Sequence, residues 1–223
     1  MPTIEPTTKR GAELAREVLD TIEYVEARFG DAETYLDLEE QVREGPAWEQ
    51  GTWGQVWLDD LPSGVDVEAV PSEAWEHNDL NSYYGSTLIS VSGGLSCGTA
   101  MCFAGHTVNM AGDRLVVSID QRVVKTLRGG AARKNLKRWL NKLRRRDDLP
   151  VQYLDGQSGN QVVQVITPEG KVTTIAQRAQ ELLGLTDNEA DTLFSGGNDL
   201  SELRRYVQRM EENRHVTNGR KKK

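Results

Sequence analysis

Apolar positions recur with two periods along this chain, and the alternation between them outlines the elements. In residues 11–29, Leu14, Val18, Ile22, Val25 and Phe29 follow one another at spacings of four, four, three and four. That is the seam of an amphipathic helix, and Gly30 ends it. Asp31 is placed to cap a second helix to about Arg43, with Tyr35, Leu38 and Val42 on one face. Residues 83–92, YYGSTLISVS, read as a strand that Gly93-Gly94 ends, and DRLVVSIDQRVV at 113–124 reads as a strand or a strand–helix junction. VVQVITPEGKVTTI then predicts a hairpin turning at Pro168-Glu169-Gly170. Three helices follow. The first runs from about Thr174 to Leu183 with Gly184 as its stop, the second starts at Thr186 with Glu189 completing a capping box, and the third starts at Asp199. In the third, Leu203, Tyr206, Val207 and Met210 share a face.

Two stretches depart from this simple patterning. From Gly98 to Ala111 there is no charged residue, and Gly98, Ala100, Ala104, Gly105 and Ala111 scatter small side chains over several faces. A helix at 98–111 with that composition is expected to be buried nearly all round, with Met101, Phe103 and Val108 filling the remaining space. The other stretch is GPAWEQGTWGQVWLDDLP, which holds Trp48, Trp53 and Trp57 within ten positions. Aromatics this dense anchor a core or an interface, and core packing is the plainer expectation. The fold class that results is α+β, predominantly helical, with a small β-hairpin or sheet around a buried central helix. One domain is expected over 1–212, and 213–223 reads as a disordered basic tail.

Charge changes the picture. The net charge of −7 conceals a split: residues 1–80 hold 20 acids and 5 bases, whereas residues 121–146 hold 11 bases and no acid. The latter include a basic amphipathic helix at 131–146. Arg133, Lys134, Lys137, Arg138, Lys142, Arg144, Arg145 and Arg146 surround Trp139, and Leu136, Leu140 and Leu143 join Trp139 in an apolar stripe. Three uses are open to it: a phosphate-binding patch, a docking helix for a protein, or packing against the chain's own acidic half. A helix-turn-helix reading of RAQELLGLTDNEADTLF is opposed by its second helix. That helix carries Asp187, Glu189 and Asp191 and no base, and DNA phosphates would repel it.

The chemistry-bearing residues crowd into LSCGTAMCFAGHTVNMAGD at 95–113, with both cysteines, Cys97 and Cys102, and one of three histidines, His106. On a helix, Cys102 and His106 share a face and could share zinc, with Cys97 and His77 as the remaining candidate ligands. Cys97 lies about 140° away round such a helix. No second Cys-x-x-Cys or His-x-x-x-His completes a structural zinc set, so no metal or other cofactor is the expectation. A nucleophile needs a base, and His106 is more than two turns beyond Cys97 on the same helix. Two buried thiols and a satisfied histidine remain the plainest reading. No apolar stretch is long enough for a transmembrane span, and MPTIEPTTKRG lacks the core of a signal peptide, which points to a reducing cytoplasm.

The motifs Trp48-x-Gln50-x-x-Trp53, Cys97-Gly98-Thr99-x-x-Cys102-x-Ala104-Gly105-His106, Thr167-Pro168-x-Gly170 and Leu182-Leu183-Gly184-Leu185-Thr186 with Glu189, Ala190, Leu193 and Phe194 resemble a group of small proteins. Bacteriophages of actinobacteria encode them, and similar sequences occur in the hosts. The resemblance covers about two thirds of the chain and leaves out residues near 56–82 and 121–150, which read as insertions. It implies a setting, the host cytoplasm, rather than a chemistry. Group members that carry tryptophan at the His106 position count against histidine as an essential ligand or base. The function expected from all this is a non-enzymatic, phage-encoded accessory protein that binds a host or phage macromolecule, protein or nucleic acid, and no membrane. The alternatives are a metal- or thiol-dependent enzyme using Cys97, Cys102 and His106, and a DNA-binding regulator using the basic helix.

Overall fold

A computed structural model describes residues 5–29, 47–48, 50–51, 53–56, 66–69, 86–95, 99–120 and 160–220. Two expected helices, at 31–43 and 131–146, lie outside these residues, as do His77, Trp57, Cys97 and Gly98. Among the described residues the chain is α+β, with more helix than strand.

Helix α1 spans Gly11–Phe29, α2 Phe103–Met110, α3 Ile175–Leu183, α4 Asp187–Leu193 and α5 Leu200–Arg220. The strands are β1 Ala47–Trp48, β2 Gln55–Val56, β3 Val67–Ala69, β4 Ser86–Val91, β5 Thr99–Met101, β6 Arg114–Asp120, β7 Asn160–Ile166 and β8 Val172–Thr173. They form one sheet in the order β1-β5-β2-β7-β6-β4-β3, with β8 on β7 beyond β2's contact. All pairings are antiparallel except β1 with β5. The sheet is larger than the small hairpin or sheet expected. Five of its strands are two or three residues long, too short to show a period-two pattern in sequence.

Directly opposed residues share a face of a sheet, so register assigns the sides. Val91, Leu115 and Val165 lie across from one another, as do Val117 and Val162, and all five join the core. That core is completed by Leu14, Val18 and Ile22 of α1, Phe103 and Val108 of α2, and Ala179, Leu182 and Leu183 of α3. The seam read in α1 is thus its buried face. Ser90, Val116 and Gln164 form the row on the opposite face and are also buried.

The C-terminal helices follow their expected caps. The Thr174 side chain accepts from the Gln177 N–H, and Gly184 closes α3 with φ of 65°, a left-handed conformation that suits glycine. Thr186 and Glu189 form the reciprocal capping box. Leu203 and Val207 of α5 are buried, with Tyr206 and Met210 half-buried beside them. Arg16 of α1 holds Glu211 of α5 through two bonds of 3.0 and 2.7 Å. The disordered tail expected from 213 is replaced by helix to Arg220. Among the described residues no helix is long and apolar enough to cross a membrane.

Candidate functional site

The tryptophan segment and the Cys102–His106 run are neighbours in space, and each explains the other's residues. A single helix at 98–111 does not form. Thr99–Met101 is a strand held by β1 on one side and β2 on the other, and the helix begins only at Phe103. Cys102 is its N-cap, in extended backbone with φ of −72° and ψ of 178°. Its side chain therefore leaves from non-helical backbone, while its carbonyl accepts the first bond of α2, from the His106 N–H at 2.9 Å. Complete burial holds for what remains of the helix: all eight residues of α2 are buried.

Gln50 joins three elements. Its Oε1 accepts from the Phe103 N–H at the start of α2 and from the Trp48 indole N–H, both at 3.2 Å. Its Nε2 donates to the carbonyls of Ser195 at 2.9 Å and Leu193 at 3.4 Å, just past α4. The side chain is 8% exposed, so each bond is made largely away from water. A glutamine here replaces the side-chain cap that Cys102 does not give α2, since its amide offers both an acceptor and donors.

Three residues on, the Trp53 carbonyl lies against α2. The Cys102 thiol directs its S–H to this oxygen at 3.8 Å. Gly105 faces the same oxygen, and a Cβ there would overlap it and come within 2.9 Å of the Met101 Cβ. Gly105 is thus fixed by close approach of two backbones. Burial pushes the Cys102 thiol up to about 11, with nearby backbone N–H groups only partly opposing the shift. Burial thus disfavours the thiolate form at Cys102. His106 is 1% exposed.

The opposite end of α2 is equally occupied. The Asn109 side chain accepts from the Leu95 N–H and donates to the Leu95 carbonyl, both at 3.0 Å. Asp113, fully buried, takes a two-pronged bond from Arg178 of α3 at 2.7 and 3.1 Å. Neither residue is distinguished in the sequence by pattern or spacing, and only their burial together marks them.

The tryptophans themselves divide. Trp48 is half-buried against the core, whereas Trp53 is 42% exposed with its backbone fixed underneath. Core packing thus accounts for one of the two described tryptophans of the segment. The basic cluster of Arg133, Lys134, Lys137, Arg138, Trp139, Lys142, Arg144, Arg145 and Arg146 lies outside the described residues, as do Cys97 and His77 of the alternative zinc set. No protein-family model, curated protein or solved structure matches this chain.

Proposed function

We propose that this chain is a non-enzymatic, phage-encoded accessory protein that works in the host cytoplasm by binding a macromolecule. Its contacts are the exposed part of the tryptophan segment and the basic stretch at 131–146. The observation that carries this reading is Trp53. Its carbonyl is pinned by Cys102 and Gly105, yet the residue is 42% exposed. A large aromatic presented on a fixed backbone loses little conformational entropy on contact, which is why tryptophan dominates binding hot spots.

Of the candidates for a thiol- or metal-dependent enzyme, Cys102 supports that alternative least, and Cys97 and His77 lie outside the described residues. Cys102 is buried and protonated, and Gln50 is engaged at both ends of its amide. A helix-turn-helix reading finds little support in α4, whose Asp187, Glu189 and Asp191 are exposed and would face phosphates, whereas the DNA-regulator alternative rests on the basic stretch at 131–146, which lies outside the described residues.

The test is affinity capture from actinobacterial lysate, with and without nuclease. Trp53→Ala is expected to lose the captured partner. A variant with Arg144, Arg145 and Arg146 changed to alanine is expected to bind more weakly while its circular dichroism stays unchanged. A partner retained in full by both variants overturns the reading.

A further inference from the structure

We draw no further inference here: the strongest candidate, the second face of the sheet along the buried row of Ser90, Val116 and Gln164, carries nothing because nothing among the described residues shows what covers it.

Discussion

Cys102 and Gly105 show how a residue that looks chemical can be spent on packing. Each addresses the same Trp53 carbonyl, one through a thiol hydrogen and one through the space a missing Cβ leaves. With its pKa raised to about 11 by burial, Cys102 is about a thousandfold short of thiolate at pH 8. Site-resolved mass spectrometry after iodoacetamide treatment is therefore expected to leave Cys102 unmodified in the native protein and to modify it fully in denaturant. Native labelling at a rate near that of a free thiol would contradict this. Gly105→Ala drives a methyl group into backbone and Met101, and is expected to cost about 2–4 kcal/mol in denaturant unfolding. The cost is large because the struck atom belongs to a strand-flanking backbone, not to the end of a flexible side chain.

At the scale of elements, the α3–α5 unit is held by two kinds of electrostatics with opposite responses to acid. The carboxyl of Asp113 is raised by burial, and Arg178 opposes that shift without cancelling it. A carboxyl raised in the fold binds its proton more tightly folded than unfolded. Its effect on stability is therefore most favourable at low pH and declines as pH rises through the folded value. Glu189 is lowered by its bonds to Thr186, so its contribution is present above its unfolded value and is lost as pH falls through the folded one. Two outcomes follow. Arg178→Met leaves a buried carboxylate without its partner and is expected to cost about 3–5 kcal/mol at neutral pH. Much of that loss should return in acid, where Asp113 takes a proton, and thermal unfolding between pH 7 and pH 4 checks it. Thr186→Ala removes the cap and is expected to cost about 1 kcal/mol at neutral pH, with the deficit shrinking in acid. A deficit that grew in acid would argue against the capping box as its cause.

Across the whole molecule, charge is segregated between parts of the chain. Residues 1–80 hold 20 acids and 5 bases, whereas the bases of 121–146 are gathered in one stretch of sequence. On the proposed reading, binding at Trp53 and binding through Arg144, Arg145 and Arg146 are separable by salt and by mutation. Capture lost in Trp53→Ala should not be restored by lowering salt, because the missing interaction is stacking and apolar burial. Capture weakened by removing the three arginines should be the more salt-sensitive of the two.

What the sequence determined by itself is whatever depends on neighbours along the chain. The α1 seam, the strand at 86–91, the hairpin and the caps at Thr174, Gly184 and Thr186 were legible because helical period, alternation and capping involve residues a few positions apart. Tertiary structure decided the rest. Residues 99–101 carry the composition of a buried helix, yet they are a strand because β1 and β2, drawn from some fifty residues earlier, pair with both of its edges. Asn109 and the Asp113–Arg178 pair have no sequence signal, and Gln50 stood out only within the Trp48-x-Gln50-x-x-Trp53 motif, without its role, because their partners are set by packing of distant elements. Trp48 and Trp53 belong to one aromatic segment, and only the fold turned the first against the core and left the second at the surface. Local free energies select an element, but which of its side chains meets water is settled by what the folded chain brings against it.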